Sequence, residues 1–219
     1  MPKPRKESKL RPFKTFKIFC EGEKTEPYYL KGYIATLDND AGKKVFEVPP
    51  TENNTAAQLV DEAIDAKNSP NALPGDEFWV VYDRESPAKY PDQLHAEALL
   101  KAQQNGINIA LCNVCFEYWI LIHMIETDAP YQNCGDVLKN SPLKVEFKKL
   151  SGKEYKKAAS NTFTYLQDLV ADARRRGARI NRRGLEEANK GMGQPHQINP
   201  YVGVVKLLDA IDAFVAEEA

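Results

Sequence analysis

The stretch FWVVYDRE, residues 78–85, decides the fold class of this 219-residue chain. Its first five residues, 78–82, form an uninterrupted apolar run, which is typical of a strand buried on both faces of a parallel sheet. The run ends at Asp83, Arg84 and Glu85, so charged residues begin where the strand stops. We therefore expect a parallel sheet with acidic groups at the carboxyl end of this strand.

Strand-like and helix-like segments alternate on both sides of this run. Other segments are rich in strand-forming residues, and the segments between them place apolar residues at helical spacing. Strands that alternate with helices of this length indicate a parallel sheet with right-handed crossovers. The sequence thus predicts an α/β fold with a parallel four-stranded sheet flanked by helices. The predicted strands are 13–20, 43–48, 78–82 and 107–112, and the predicted helices are 25–37, 55–67, 92–104, 114–125, 154–176 and 201–215.

The chain changes character along its length. Residues 1–12 form a basic tail, residues 13–127 form the α/β core, and residues 128–219 form a mainly helical C-terminal extension that we expect to pack on the core. Within the extension, 128–152 has scattered Gly, Pro, Ser and Asn with only short apolar runs. The polar, Gly-containing segment 177–200 is predicted to be a mobile loop.

Composition argues against several classes of protein. A hydrophobic content of 42% is enough to build a core. No apolar stretch approaches the length of a membrane span, and the N-terminus lacks the apolar region of a secretory signal. Four cysteines are too few for a disulfide framework in a chain of this size. These features predict a cytoplasmic protein with no membrane partner.

Basic residues are concentrated in two runs although the net charge is only -1. One run is the tail, and the other begins at Arg174, Arg175 and Arg176. Such runs are usually solvated surface, but lysines and arginines also contact phosphate backbones without any particular order. Composition alone leaves both interpretations open.

Acidic residues follow two of the predicted strands. Glu21 comes directly after the first strand, and Asp83 comes directly after the third, with Glu85 two residues later. Ligands of an open parallel sheet bind outside the carboxyl ends of the strands, and carboxylate oxygens suit Mg²⁺ or Mn²⁺. An Asp-x-Glu pair in an extended loop can direct both side chains the same way. The alternative is that these acids cap helices or lie in solvated loops.

Three other patterns invite a functional interpretation. Cys112 and Cys115 have the spacing of redox and zinc motifs, but no second cysteine pair accompanies them, and two buried thiols are expected. His123 lies in an apolar helical segment, which favours a hydrogen-bonded core histidine. Lys24 and Thr25 follow a glycine, but the glycine spacing of a phosphate-binding loop is absent.

Five segments of the chain resemble the RloB-like family. They are KIFCEGEKTEPYYLKGY (17–33), VVYDRE (80–85), IALCNVCFEYWILIH (109–123), GKEYKK (152–157) and NPYVGVVKLLDAI (199–211). They occur in the family's order and span nearly the whole chain after the basic tail.

The resemblance implies a metal-dependent catalytic site, because RloB-like proteins are similar to the Toprim group of catalytic domains. By position, Glu21 takes the role of general acid/base, while Asp83 and Glu85 bind Mg²⁺ or Mn²⁺. Glu117 resembles a further acidic position of the family, and Asn113 accompanies it. This chain has Asp-Arg-Glu where the Toprim pattern usually has Asp-x-Asp.

The resemblance also implies a role in bacterial defence against phage. The expected function is a nuclease that cleaves DNA or RNA as a defence effector, with an ATPase as a partner. One alternative is a non-catalytic regulatory or binding subunit of an ATPase-containing defence complex, and another is a nucleic-acid-binding module that uses the basic tail. The predicted nucleic-acid-binding residues are Lys24, Arg174, Arg175 and Arg176, and the predicted supporting residues are Asn113 and His123.

Overall fold

A computed structural model of the protein describes residues 13–37, 44–53 and 55–217, so the predicted basic tail 1–12 lies outside the described residues. The strands are β1 (Thr15–Cys20), β2 (Val45–Glu47), β3 (Glu77–Asp83), β4 (Asn108–Asn113) and β5 (Tyr201–Val202). The α-helices are α1 (Thr25–Ala35), α2 (Ala56–Lys67), α3 (Asp92–Asn105), α4 (Phe116–Met124), α5 (Cys134–Asn140), α6 (Leu143–Ser151), α7 (Thr162–Leu166), α8 (Val170–Glu187) and α9 (Val204–Ala216). None of these helices combines the length and the apolar character that a bilayer crossing requires.

The strands form one sheet in the order β2-β1-β3-β4-β5. The first four are parallel, which confirms an α/β fold with a mostly parallel sheet flanked by helices. The predicted count of four strands is wrong, because β5 pairs antiparallel with β4. A two-residue strand leaves no periodic pattern to read. Gly203 ends it, where an added Cβ would lie 2.6 Å from the backbone nitrogen of Leu111.

The outer edge of β5 is closed by a side chain. Asn181 of α8 donates its amide N–H to the Val202 carbonyl at 2.8 Å and accepts the Val202 N–H at 2.7 Å. This amide makes the two hydrogen bonds that a further strand would make. The sheet therefore ends at β5 with its backbone groups paired.

Two hydrophobic cores lie on opposite faces of the sheet. The smaller one packs α2 and α3 against β3 and β4 through residues such as Leu59, Ala98 and Val80. The larger one surrounds α4, in which every residue from 116 to 123 is buried, and it includes α1, α8 and α9. Residues on both sides of the predicted boundary at 127/128 share this larger core.

The C-terminal half contains more helix than the sequence predicts in some places and less in others. The predicted loop 177–200 is wrong over its first part, because α8 continues to Glu187. Gly177 and Gly184 resemble helix breakers, but they are contact positions: an added Cβ at Gly177 would lie 2.6 Å from Cγ2 of Val205. The predicted helix 154–176 starts only at Thr162, and the irregular stretch 128–152 contains α5 and α6.

Candidate functional site

The carboxyl ends of β1 and β3 bring Glu21 and Asp83 together, as the sequence predicts. Glu21 continues the strand ladder through its N–H, which donates to the Val81 carbonyl at 2.9 Å. Its side chain turns towards β3, where Oε2 accepts the backbone N–H of Asp83 at 2.8 Å. The two carboxylates therefore lie at adjacent strand ends on the same edge of the sheet.

Asp83 is fixed by the start of α4. Its Oδ1 accepts the backbone N–H of Phe116 at 2.8 Å. Phe116 is the first residue of α4, where N–H groups have no partner within the helix and the helix dipole favours negative charge. The contact orients the Asp83 side chain and joins β3 to α4.

Glu117 lies one residue further along α4 and is completely buried. Its Oε2 accepts a hydrogen bond from the Cys134 thiol at 3.1 Å, and its Oε1 lies 3.1 Å from Nζ of Lys157. Lys157 comes from the loop between α6 and α7, which is tied to α1 by a hydrogen bond from the Ala158 N–H to Oγ1 of Thr25 at 3.2 Å. In this conformation both Glu117 oxygens are engaged with groups from the C-terminal half of the chain.

A fourth acid, Glu26, belongs to the same group and was missed by the sequence analysis. It lies in the first turn of α1 and is only 6% exposed. Its carboxylate folds back onto Gly22, where an added Cβ would collide with Oε2. Glu26 is within the 17–33 segment that carries the family resemblance, but its burial depends on tertiary contacts that spacing does not reveal. We call Glu21, Glu26, Asp83 and Glu117 the acidic cluster.

The pKa values of these acids reflect enclosure and mutual repulsion. Burial, followed by the charges of Glu26, Glu117 and Glu21, raises the pKa of Asp83 well above its ordinary range. Burial and then the charge of Glu117 raise the pKa of Glu26 to about 7, against the lowering effects of its own backbone N–H and of Lys157. Burial also raises the pKa of Glu21, although the hydrogen bond from Asp83 opposes it.

Lys157 is the basic counterpart of the cluster. Burial lowers its pKa, but the charges of Glu117 and Cys134 outweigh burial, and the net shift of the Lys157 pKa is upward. Among the described residues, it alone forms an ion pair with a member of the acidic cluster. The cluster, if fully ionised, would carry a large uncompensated negative charge.

Glu85 stands apart from this group. Its φ of 57° is in the left-handed region, so the Asp-x-Glu segment does not have the extended geometry assumed from the sequence. Its N–H donates to the Val114 carbonyl at 3.0 Å, and its carboxylate pairs with Lys89 at 3.1 Å. Glu85 still contributes to the raised pKa of Glu21, so it lies at the rim. Its role as a metal ligand stays a prediction.

Arg84 and Asn113 hold the turn at residues 195–198 rather than contacting the cluster. Arg84 is buried, and its guanidinium donates to the carbonyls of His196 and Tyr90, each at 2.9 Å. Asn113 donates to the carbonyls of His196 and Ile198 at 3.2 and 2.7 Å. These contacts give the predicted supporting residue Asn113 a positioning role for this turn.

His123 and the thiols occupy the interior. His123 is fully buried and hydrogen-bonded at both ring nitrogens, to the Tyr29 hydroxyl and to the Trp119 carbonyl, each at 2.8 Å. Burial lowers its pKa to about 4. Its contacts are those of a core histidine. Cys112 and Cys115 are free, buried thiols.

The predicted nucleic-acid contacts fall into two groups. Lys24 is exposed at the start of α1, and it has no ion pair with any residue in the described ranges. The three arginines at the start of the α8 run are instead bound within the chain, and their contact with nucleic acid stays a prediction. Arg174 pairs with Asp209 and Asp212, Arg175 pairs with Asp172, and Arg176 donates to the carbonyls of Ile122 and His123.

A cavity of about 250 Å³ adjoins the acidic cluster. Its lining includes Glu21 and Asp83 together with the aromatic side chains of Tyr82, Tyr90 and His95. The cavity lies on the α2 and α3 side of the sheet and is large enough for a substrate group next to the two carboxylates.

Residues 16–211 match the family described as RloB-like protein. No curated protein and no solved structure matches the chain. The family match covers most of the chain and includes every member of the acidic cluster as well as Cys134 and Lys157. The chain therefore belongs to the RloB-like protein family.

Proposed function

We propose that this protein is a divalent-metal-dependent nuclease that cleaves DNA or RNA, and that it acts as an effector in defence against phage. The observation that carries the proposal is the acidic cluster, in which the residue after β1 and residues of β3, α1 and α4 bring together carboxylates that raise one another's pKa, with one ion pair, Glu117 to Lys157, among the described residues. Like charges held this close repel one another unless protons or a cation neutralise them. Nucleases commonly use such a group to hold metal ions.

The residues present fit Mg²⁺ or Mn²⁺. Carboxylate oxygens are the ligands that these hard cations prefer, and Glu21 and Asp83 offer them at adjacent strand ends. When bound, the ion would neutralise phosphate charge and lower the pKa of a bound water. The order of acids after β1 and β3 supports a Toprim-type arrangement.

The protein's own groups would transfer protons, orient the ligands and bind the substrate backbone. Glu26, with its pKa raised to about 7, can hold or release a proton near neutral pH, as a general acid or base must. The α4 N-terminus keeps Asp83 oriented. Lys24 is exposed at the α1 N-terminus, where a phosphate of the substrate backbone would be attracted both by its charge and by the helix end.

Cleavage assays with single-residue variants test the proposal. We expect Mg²⁺- or Mn²⁺-dependent cleavage of DNA, bulk RNA or tRNA, measured with a partner ATPase supplied. Asp83→Asn, Glu21→Gln and Glu26→Gln should each lower the rate by about 100-fold or more, because each removes a ligand or a proton-transfer group. Glu23→Gln is the matched control, because Glu23 is exposed in the same turn. Intact substrates under all these conditions would contradict the proposal.

Comparing Glu26→Gln with Glu85→Gln tests which glutamate belongs to the active site. The structure favours Glu26, whereas the resemblance to the Toprim group implies Glu85. Glu26 belongs to the cluster, whereas Glu85 is paired with Lys89 at its rim. We therefore expect Glu26→Gln to lower the cleavage rate far more than Glu85→Gln. The reverse order would restore Glu85 as the ligand.

A non-catalytic subunit of an ATPase-containing defence complex is the second candidate. It is favoured by the pairing of the arginines at 174–176 within the chain, which leaves them fewer donors for a nucleic acid. For such a subunit, Asp83→Ala should leave partner capture in a pull-down unchanged, and no substrate should be cleaved. Loss of cleavage without loss of partner binding would instead support the nuclease.

A further inference from the structure

Two thiols and a carboxylate lie together on the side of α4 that faces the C-terminal half of the chain. Ligand atoms of Cys115, Glu117 and Cys134 all lie within 4.8 Å of one another. Cys115 and Glu117 are 0% exposed, and Cys134, the first residue of α5, is 9% exposed. Residues that are distant in the chain thus bring two sulfurs and one oxygen to a single buried point.

A nearby side chain provides a second indication that a ligand binds here, because its polar group is buried without a partner. Tyr155 is 6% exposed, and its hydroxyl has no hydrogen-bond partner among the described residues. Burial, followed by the charges of Glu117, Cys115 and Cys134, raises the pKa of this hydroxyl, so the same three groups act on it electrostatically. A buried hydroxyl without a partner is unfavourable, and a thiolate formed on metal binding would be a better acceptor for its hydrogen bond than a neutral thiol.

We propose that Cys115, Glu117 and Cys134 form a binding site for a thiophilic divalent transition metal, with Zn²⁺ as its occupant. Thiolate sulfur is a preferred ligand of Zn²⁺ and a poor one for Mg²⁺. Glu117 also belongs to the acidic cluster, so the site adjoins the all-carboxylate pair of Glu21 and Asp83, but its two sulfurs make it chemically distinct from that pair. Metal binding at this site does not require nuclease activity.

The charge of the surroundings suits such an ion. Metal binding displaces the two thiol protons, so a dication enters while two positive charges leave and the net charge of the site is unchanged. Lys157, whose Nζ lies 3.4 Å from Cys134 Sγ, would compensate the anionic ligand set of two thiolates and one carboxylate. Tyr155 would donate to a ligand atom and orient it.

The site would join residues from two helices and the segment that precedes the first of them. Cys115 precedes α4, Glu117 lies in the first turn of α4, and Cys134 begins α5. A metal held by all three would fix α5 and the neighbouring Lys157 loop against α4. We therefore expect the ion to stabilise the C-terminal half of the protein on the sheet.

Spectroscopic titration of the full chain with Co²⁺, kept reduced by a phosphine, tests the proposal. We expect one Co²⁺ per chain with an intense sulfur-to-cobalt charge-transfer band, displaced by Zn²⁺ and retained in excess Mg²⁺. X-ray absorption of the Zn²⁺-loaded wild type should show sulfur at about 2.3 Å and oxygen at about 2.0 Å. Absence of the charge-transfer band, or a first shell of nitrogen and oxygen only, would overturn the proposal without any variant.

Variants then assign the ligands. Cys134→Ser, at the edge of the core, should abolish the charge-transfer band, and Tyr155→Phe should weaken Co²⁺ binding by about 10- to 100-fold. Cys112→Ser is the matched control, because this buried thiol lies outside the group, and it should keep the band. Glu21→Gln should also keep it, which separates this site from the proposed nuclease site. A band that persists in Cys134→Ser would overturn the assignment.

Discussion

The acidic cluster and the arginine run of α8 both collect like charges, but they differ in what surrounds those charges. Each arginine from 174 to 176 has an acidic or carbonyl partner within the chain. In the acidic cluster the charges of Glu26, Glu117 and Glu21 all act on Asp83, and in the described part of the chain the only ion pair of the cluster is that of Glu117 with Lys157. A basic run that looked functional in the sequence is thus largely neutralised by folding, whereas acids scattered through the sequence are concentrated by it.

This difference shows which charges oppose folding. A paired surface or half-buried charge contributes little or stabilises modestly, whereas uncompensated charges held together destabilise the native state until something binds them. Removing charge should therefore have opposite effects in the two regions.

The acidic cluster should make the free energy of unfolding of the metal-free protein depend strongly on pH, which the paired arginines should not do. Glu26 has its pKa raised from an ordinary 4.5 to about 7, so between these values the native state holds a proton that the unfolded state releases. Stability should then fall as pH rises through this window, by on the order of 3 kcal/mol from Glu26 alone. Chemical denaturation in a chelator at pH 5 and pH 8 measures it. Glu26→Gln should remove this share of the fall, and Glu23→Gln should not.

Mg²⁺ should reverse much of this loss at pH 8. A cation that binds only the native state stabilises it by about 2.7 kcal/mol when its concentration is 100 times the dissociation constant. We expect the thermal midpoint of the wild type to rise with Mg²⁺ at pH 8 and to change little at pH 5, where protons neutralise the acids. Asp83→Asn should lose the response at pH 8. An equal rise in that variant would place Mg²⁺ elsewhere.

On the arginine side, Arg176→Met should destabilise the protein by about 2 kcal/mol, because the carbonyls of Ile122 and His123 at the end of α4 lose a charged donor. Urea denaturation at pH 8 measures the change. Gain of stability in this variant would mean that Arg176, like the acids of the cluster, opposes folding.

Arg175→Met should change the free energy of unfolding least. Within the described residues, Arg175 pairs with Asp172 alone, one turn away, and its side chain is 67% exposed. Such pairs contribute roughly 0.5 kcal/mol or less, so urea denaturation should show almost no change. A loss as large as that expected for Arg176→Met would mean that charge alone, rather than the buried carbonyl contacts, stabilises α8.

The central part of the fold could be predicted because its signals are local. The run at 78–82 is apolar enough to indicate burial on both faces, the segment 107–112 is rich in strand-forming residues, and both are strands. The missed features are non-local. The short strand β5 depends on its pairing with β4 and with Asn181. The glycine at 177 does not end α8; it leaves room for the side chain of Val205 in α9.

The candidate site divides in the same way. Glu21 and Asp83 follow directly from strand ends, and a parallel sheet places adjacent strand ends together. Glu26 was missed because its burial depends on a fold-back over Gly22, and Cys134 and Lys157 come from segments with no readable periodicity. Glu85 was expected to lie with Asp83, but its left-handed backbone directs it to Lys89.

The amide that pairs with Val202 also protects the interior of the protein. Val202 is 0% exposed and Asn181 is 8% exposed, so neither water nor a second chain reaches the two backbone groups that this amide pairs. Asn181→Ala would leave one N–H and one C=O buried without partners, at a cost of about 1–3 kcal/mol for each group. A urea midpoint well below that of the native chain would show that a single amide side chain completes the sheet.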